Sequence, residues 1–392
     1  MMNDFKLNNN LLELKEFSIS VRRELHQIPE LSGEEYKTSA YCKKILEDAG
    51  YTLKTHEGYT GFIADLVVSD AFSTVGFRAD MDALEMHDLT DNEFSSKHEG
   101  CAHNCGHDTH MAIALTTAKY LSLHKQELKH NVRFLFQMAE EDMRVHGADK
   151  MVELGCMDGV HEVYALHNDG ATECGTVQIN DGIMSSYGSA WTLNVKGISA
   201  HGSTPQKGLD AIREGARIVM DLDYIVAKKT SPHSPAVFVC GMFNGGTVPN
   251  AVADNVQARG TIRSMDDETD QILKDSFKSI VEESTVRGYK TDIDYCGYPA
   301  VVNHPEAYQR VISAAQGVIS NEILNANCKP MTGSEDFSLM INATADKRGA
   351  MFFLGSGNSK KGINNYLHSN PYFVDDDFML VGAQIFINIA TM

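Results

Sequence analysis

The sequence predicts an α/β protein made of two domains, one inserted into the other. Three observations support this. The 392 residues are long for a single hydrophobic core. Short β-rich runs alternate with helical patterns in the first half of the chain, which favours an α/β sheet with helices on both faces. Between residues 187 and 302 the order of elements changes. We therefore predict a first domain from residues 1–186 and 303–392, with residues 187–302 inserted.

The first domain begins with helical patterns. Leu11–Ile28 carries apolar residues at helical spacing and ends before Pro29. Ser32 followed three residues later by Glu35 fits a capping box, which predicts a second helix ending near Gly50. The strands of this domain are predicted at 61–68, 74–77, 131–137 and 163–166. Two more helices are predicted at 107–123 and 147–154.

The inserted segment has a different order of elements. We predict strands at 191–195, 236–242, 255–263 and 291–295, and helices at 208–227 and 268–287. This β-α-β-β-α-β order is that of a split, ferredoxin-like α+β domain. A helical stretch to residue 321 and a strand at 351–354 then return the chain to the first domain.

Composition excludes some partners. Acidic residues outnumber basic ones, 53 to 34, and the formal net charge is −19. Such a field repels nucleic acid and anionic membranes, so we predict neither as a partner. Residues 1–10 lack the apolar core of a signal peptide, and no run approaches the roughly 20 apolar residues of a membrane span. The eight cysteines form no disulfide pattern, which predicts a reducing cytoplasm.

The richest stretch for chemistry is His103–His110, with one thiol, three imidazoles and one carboxylate in eight residues. Such donors rarely crowd together without zinc or a transition metal. Cys105 and His107 stand on a glycine-containing turn that leads into a helix, and we predict that both bind a metal. A lone cysteine is more often a small buried hydrophobe. His103 and His110 can serve instead as partners of the ligands or as caps.

Further candidates follow predicted strands. Glu140 and Glu141 come after an apolar strand, and open α/β sheets place their sites at the carboxyl ends of strands. One carboxylate can hold a metal while the other handles protons, although acidic runs are usually solvated turns. Asp80 also ends a strand and can fix the tautomer of a ligand histidine. His167 ends a third strand and His368 lies near the C-terminus. Each of these histidines alone is more often an ordinary polar residue.

The inserted domain has three polar candidates. His201 lies on a turn after a strand, Asn250 lies on a second turn, and Arg263 ends a strand. An imidazole, an amide and a guanidinium can bind the anionic end of a substrate and an oxyanion. The residues alone leave this role open.

Taken in order, these motifs resemble the M20 metallopeptidase family, in particular its aminoacylase-like amidohydrolases. That branch includes hippurate hydrolase, indole-acetyl-amino-acid hydrolase and N-acetyl-diaminopimelate deacetylase. The resemblance covers nearly the whole chain. It is carried by residues 23–30, 77–84, 105–108, 136–141, 166–167, 197–205, 260–263, 333–337 and 367–368. It implies a mixed-sheet, zinc-peptidase-like catalytic domain with an inserted lid and dimerisation domain.

The resemblance also implies the roles of individual residues. Two divalent metals would be bound by Cys105, His107, Glu141, His167 and His368. Glu140 would be the general base, and Asp80 would orient a metal-bound histidine. His201 would stabilise the oxyanion, while Asn250 and Arg263 would hold the substrate. The family uses zinc or manganese. Thiolate and imidazoles favour zinc, while a carboxylate also permits manganese, nickel or cobalt, so the metal stays open.

The implied activity is hydrolysis of the amide bond of a small N-acyl amino acid to a carboxylic acid and a free amino acid. A metal-activated water would attack the carbonyl, with a glutamate as base. A homodimer or homotetramer is possible. Met138, Glu85 and residues 250–254 depart from the family pattern, which leaves the substrate open. One alternative is a metal-dependent dipeptidase or aminopeptidase. Another is a non-catalytic binding protein, which the presence of Glu140 disfavours.

Overall fold

A computed structural model describes residues 5–392. Residues 1–4, part of the polar segment that we contrasted with a signal peptide, lie outside the described residues. The helices are α1 Asn9–Leu12, α2 Lys15–His26, α3 Tyr36–Asp48, α4 His107–Leu123, α5 Gly147–Glu153, α6 Ala211–Lys229, α7 Asp267–Val286, α8 Pro305–Gln316, α9 Phe337–Asn342 and α10 Phe378–Thr391. The strands are β1 Thr52–Thr55, β2 Phe62–Leu66, β3 Thr74–Asp80, β4 Asn131–Gln137, β5 Val160–Glu173, β6 Val177–Gln178, β7 Tyr187–Lys196, β8 Ala200–His201, β9 Ala236–Gly245, β10 Ala251–Val252, β11 Asn255–Ser264, β12 Lys290–Tyr298, β13 Leu324–Asn325 and β14 Gly349–Gly357.

The chain forms two compact units. The first runs up to Met184 and takes in Val301–Lys329 and Asp336–Met392. The second comprises Ser185–Ala300 with Pro330–Glu335. The sequence analysis predicts that Pro330–Glu335 belongs to the first domain, whereas the structure places this segment in the second unit. The catalytic and lid roles given to the two domains stay predictions.

The first unit is built on a mixed eight-stranded sheet in the order β1-β2-β4-β3-β5-β14-β6-β13. Strands β4, β3, β5 and β14 are parallel neighbours, whereas β1 and β2 are antiparallel additions at one edge. Phe77, Phe134 and Phe352 on the central strands are fully buried. The predicted α/β class is therefore confirmed. The strand expected to stop before His167 instead continues to Glu173, so His167 lies inside β5.

The predicted capping box is wrong. Helix α3 begins at Tyr36, and Glu35 occupies the N-cap position without a side-chain capping bond. The Ser32 hydroxyl instead donates to Asp82 Oδ2 at 2.7 Å. The Glu35 carboxylate accepts the backbone N–H of Ala139 at 2.8 Å. Both side chains are used by buried partners far away in sequence, which a local pattern does not reveal.

The second unit contains a four-stranded antiparallel sheet in the order β12-β7-β11-β9. Helices α6 and α7 pack against each other and against this sheet. Trp191, Ile218 and Phe277 form part of its separate hydrophobic core. These elements have the predicted β-α-β-β-α-β order. Among residues 5–392, none of the helices combines the length and the apolar character that crossing a bilayer requires.

Candidate metal centre

The start of α4 positions the first two candidate ligands. Gly106 precedes the helix with φ +88°, and a Cβ at this position would collide with the side-chain amide of Asn168. A glycine is therefore required at this turn. Cys105 stands before it and His107 is the first helical residue. The Cys105 Sγ atom lies 3.5 Å from Nε2 of His167, which β5 supplies.

The acidic pair follows the end of β4. Ala139, between the strand and the pair, has φ +51°. The backbone N–H of Glu141 donates to Asp82 Oδ2 at 2.9 Å, which fixes this residue beside the end of β3. Glu141 Oε1 lies 3.8 Å from His107 Nε2 and 3.3 Å from His368 Nε2.

The C-terminal loop brings in His368. Its backbone N–H donates to the carbonyl oxygen of Asn104 at 2.9 Å, and the Asn104 side-chain amide donates to the carbonyl of Ser369 at 2.8 Å. These two bonds join the loop to the segment before Cys105. His368 has φ +63°, a left-handed conformation that is rare for residues other than glycine.

The candidate ligands form overlapping groups whose donor atoms lie within 4.8 Å of one another. The groups are Cys105 with His107 and His167, Cys105 with Glu141 and His368, His107 with Glu140 and Glu141, and Asp80 with His107 and His110. His107 Nε2 and Glu141 Oε1 are buried and have no hydrogen-bond partner among the described residues. Buried polar atoms are normally paired. Unpaired imidazole and carboxylate atoms beside a thiol therefore fit a bound divalent cation.

Backbone carbonyls orient two of the candidate histidines. His107 Nδ1 lies 2.9 Å from the carbonyl oxygen of Asp82, and His167 Nδ1 lies 2.8 Å from that of Asn168. If each Nδ1 carries the proton and donates it, Nε2 is left as the metal-binding atom. The orienting role that the resemblance implies for Asp80 stays a prediction. Asp80 Oδ1 lies 2.6 Å from His110 Nδ1, and Asp80 Oδ2 lies 3.7 Å from His107 Nε2.

A buried ion network surrounds Asp80. Arg78 Nη1 donates to Asp80 Oδ2 at 2.6 Å and Nη2 donates to Asp336 at 3.1 Å. Burial opposes ionisation of Asp80, but Arg78 and the two imidazoles of His107 and His110 outweigh it. They hold the pKa of Asp80 well below its usual value.

The acidic surroundings keep protons on two candidate ligands while no cation is bound. Burial lowers the pKa of His107, but the charges of Asp80 and Asp82 reverse this and raise it to about 10. Burial, followed by the charge of Glu141, raises the pKa of the Cys105 thiol well above its usual value. A cation at this site would therefore displace protons on binding.

The three candidates of the second unit lie on its strands and turns. His201 is exposed in β8, and the neighbouring Gly202 N–H donates to the Asn250 carbonyl at 2.8 Å. His201 and Asn250 are thus close in this unit. Arg263 lies near the end of β11, and burial lowers the pKa of its half-buried guanidinium.

Sequence analysis missed the roles of Arg78 and Asp82. Both belong to the motif at the end of β3, where only Asp80 was assigned. Arg78 and Asp80 both lie in β3, where side chains alternate, so these two share a direction. That spacing is the signal that would have found Arg78, whereas Asp82 follows the end of the strand.

The fold and this donor set are those of a metal-dependent hydrolase. The chain matches peptidase family M20/M25/M40 over residues 76–392 and belongs to this family. It is 33% identical to thermostable carboxypeptidase 1 of Saccharolobus solfataricus over 382 residues, which is 96% of this chain and 95% of the relative. It is 31% identical to the N-acetyl-L-cysteine deacetylase of Bacillus subtilis over 379 residues, covering 96% and 88%.

A solved structure agrees with these relatives. It is a Bacillus subtilis protein described as a dinuclear metal-binding peptidase from the M20 family. The TM-score is 0.80 at 25% identity, and the match covers 97% of this chain and 98% of the other. The predicted membership of the M20 family and the predicted class, a metal-dependent amidohydrolase, are confirmed.

Proposed function

We propose that this protein hydrolyses the amide bond of small N-acyl amino acids and releases a carboxylic acid and a free amino acid. The observation that carries the proposal is a set of overlapping three-residue groups, each with its donor atoms within 4.8 Å of one another. Together they bring in a thiol, imidazoles and carboxylates, and one of them joins Glu140 to His107 and Glu141. The proposed ligands of two divalent metals are Cys105, His107, Glu141, His167 and His368. The deacetylase activity named for the Bacillus subtilis relative supports this substrate class.

A bound divalent metal supplies two things in such a site: it lowers the pKa of water from 15.7 to about 7 and it polarises a carbonyl oxygen. Glu140 accepts the proton of the attacking water and returns it to the departing nitrogen. With a metal bound, the carbonyls of Asp82 and Asn168 would accept the Nδ1 protons of His107 and His167 and so leave Nε2 of each to bind it.

We assign substrate binding to the second unit. His201 would stabilise the oxyanion, while Asn250 and Arg263 would bind the carboxylate of the substrate. The support is chemical: an imidazole and a guanidinium both donate hydrogen bonds to anionic oxygen. Desolvation of the half-buried Arg263 strengthens its attraction for a carboxylate.

Zinc is the metal that one thiolate and three imidazoles favour, with manganese as the alternative. We propose a reducing, cytoplasmic location, since the thiol of Cys105 must stay free, and all eight cysteines are unpaired. Metal analysis of protein purified under reducing conditions tests the choice of metal. Loss of bound metal on mild oxidation would support the dependence on a free thiol.

A second copy of the chain is the proposed partner of strand β9. This strand lies at an outer edge of its sheet and exposes Val237, Val239, Met242 and Phe243. An exposed apolar edge strand is a template for pairing with another chain. Sedimentation of the wild type and of Val239→Lys tests the proposal. A dimer or tetramer that dissociates in the variant supports it, and a monomeric wild type contradicts it.

Peptide hydrolysis is the second candidate function, and the similarity to thermostable carboxypeptidase 1 favours it. The two functions differ on the acyl side of the scissile amide bond: an N-acyl amino acid has a simple acyl cap there, whereas a dipeptide has a residue with a free α-amino group. Hippurate, N-acetyl amino acids and uncapped dipeptides should be assayed side by side on metal-loaded protein. Faster turnover of the uncapped dipeptides would replace the first proposal.

The role of Glu140 gives the sharpest test. Glu140→Gln keeps the size of the side chain but removes the base, so we expect normal metal content and no measurable hydrolysis. The matched control is Glu153→Gln, at an exposed glutamate that pairs with Lys150. This variant should keep both its metal content and its hydrolytic activity. Loss of metal in Glu140→Gln would mean that this residue is a ligand and not the base.

A further inference from the structure

Glu35 is a buried carboxyl group that caps no helix. It is fully buried at the N-cap position of α3, where its side chain makes no capping bond. It belongs to none of the donor groups found among residues 5–392. Its Oε1 atom accepts two backbone N–H groups, from Gly33 and from Ala139, both at 2.8 Å. The hydroxyl of Thr60 donates to its other oxygen.

Ala139 has an unusual backbone. Its φ of +51° lies in the left-handed region, where the Cβ of an L-residue is crowded. Such a conformation persists only where its surroundings hold it, and it is common at functional sites. Ala139 directly precedes Glu140. The left-handed turn therefore sets the direction in which the Glu140 side chain leaves the end of β4.

The turn is held on two sides. The Glu35 carboxylate takes the N–H of Ala139, 104 residues away in sequence. On the other side, Gly147 approaches so closely that a Cβ there would collide with the carbonyls of Met138 and Ala139. The next hydrogen bond along the chain does not involve Glu35, since the N–H of Glu141 donates to Asp82. Glu35 thus acts on the Ala139–Glu140 end of the segment.

We propose that Glu35 is a positioning residue for the reaction: it holds the left-handed Ala139 peptide and thereby aims the carboxylate of Glu140 at the donor groups. This inference rests on the proposed function, because it assumes that Glu140 handles the proton. Glu35 itself touches neither the substrate nor the reacting atoms.

The electrostatic environment of Glu35 agrees with such a role. Burial, followed by the charge of Asp82, raises the pKa of Glu35 to about 7. A buried carboxyl beside another carboxylate is unfavourable, and an apolar side chain of the same volume would avoid that penalty. Such a side chain would leave the N–H of Ala139 without a buried acceptor.

Two substitutions of nearly equal shape distinguish the effect of losing the hydrogen-bond acceptor from the effect of changing the packing. Glu35→Met fills the space without an oxygen, whereas Glu35→Gln keeps an oxygen that can accept from Ala139. We expect kcat of Glu35→Met to fall by about 10–100-fold, the usual effect of losing a partner behind the reacting groups. KM and metal content should stay near those of the wild type. Glu35→Gln should stay near the wild type in all three.

Hydrogen exchange gives a readout that does not depend on activity. The amide of Ala139 should exchange faster in Glu35→Met and remain protected in Glu35→Gln. Adding Ala139→Gly to Glu35→Met should restore part of kcat, since glycine adopts positive φ without a Cβ. The control is Glu162→Gln, at a buried carboxylate bonded to Tyr164 and Arg310, which should lose stability and keep kcat.

Several results would overturn the inference: an unchanged kcat in Glu35→Met, an equal loss in Glu35→Gln, or no restoration by Ala139→Gly. If Glu35→Met does not fold, Thr60→Val, which frees one oxygen of Glu35, takes its place. It should show a smaller loss of kcat, and an unchanged value would then count against the inference. Glu140→Gln is measured in parallel. If it hydrolyses normally, Glu140 is not the base, and the positioning role fails with it. A wild type that cleaves no N-acyl amino acid would contradict the proposed function itself. If Glu140→Gln is inactive while Glu35→Met is normal, only the positioning role fails.

Discussion

The Nε2 atom of His167 lies 3.5 Å from the Sγ atom of Cys105, although 62 residues separate them in sequence. The thiol belongs to the turn before α4 and the imidazole to the middle of β5. Because burial and the charge of Glu141 raise the pKa of Cys105, the free thiol keeps its proton at neutral pH. A thiolate at this position needs a cation beside it.

Cys105→Ala is therefore expected to lower the metal content and, with it, hydrolysis. Removing the thiol takes a soft ligand from the donor set. Elemental analysis after dialysis measures the bound metal, and Co²⁺-loaded protein should lose its sulfur-to-cobalt absorption band. Cys42→Ala is the matched control, since Cys42 is buried against Met111 and belongs to none of the donor groups found among residues 5–392. Full metal content in Cys105→Ala would contradict the assignment.

Asp80→Asn is expected to destabilise the protein. Asp80 is fully buried between Arg78 and His110, with both contacts at 2.6 Å. Removing one partner of a buried ion pair costs on the order of 3–5 kcal/mol, since the other charge stays desolvated. Urea unfolding of chelated protein measures the loss. Asp48→Asn, in an exposed pair with Lys44, should change stability little. Equal effects in the two variants would contradict the prediction.

Gly106→Ala is expected to damage the metal centre more than Gly100→Ala. The two glycines have similar φ values, +88° and +77°. The backbone strain that alanine introduces is therefore similar at both positions, about 1–2 kcal/mol. A Cβ at Gly100 meets nothing within 4 Å, but at Gly106 it would displace Asn168, which contacts His110 at 2.7 Å. Melting temperature and metal content should therefore fall further in Gly106→Ala. Matching losses would show that the Asn168 contact is unimportant.

Local patterns in the sequence predicted much of the first unit. The bounds of α4 and β4 agree with the structure, because helical spacing and a continuous apolar run are properties of neighbouring residues. The five proposed ligands were all named from the sequence. Helix α10 received no prediction, since its residues are almost all buried and show little helical periodicity.

Such local patterns do not reveal hydrogen-bond partners that lie far apart in the sequence. Ser32 and Glu35 fit a local capping box, yet their side chains bind Asp82 and Ala139. The role predicted for Asp80 rests on its place at the end of a strand, and the structure adds a contact that this pattern does not show, between the carbonyl of Asp82 and His107. Which groups near the end of β3 meet a histidine depends on how α4, which carries His107 and His110, packs beside this strand. Sequence spacing does not determine that packing.

The buried carboxyl of Glu35 predicts a specific dependence of stability on pH. Burial and the charge of Asp82 raise its pKa to about 7 in the folded protein, from an ordinary value of 4.5. Between these pH values the folded state binds more protons than the unfolded state. The free energy of unfolding therefore falls as pH rises from 4.5 to 7 and levels off above. The Glu35→Gln variant has no titratable group at this position. Over this pH range the free energy of unfolding of the wild type should therefore fall, relative to that of the variant, by on the order of 3 kcal/mol. Urea unfolding of both chelated proteins, from about pH 5 to about pH 8, measures this difference. A constant difference across that range would show that Glu35 ionises normally in the folded chain.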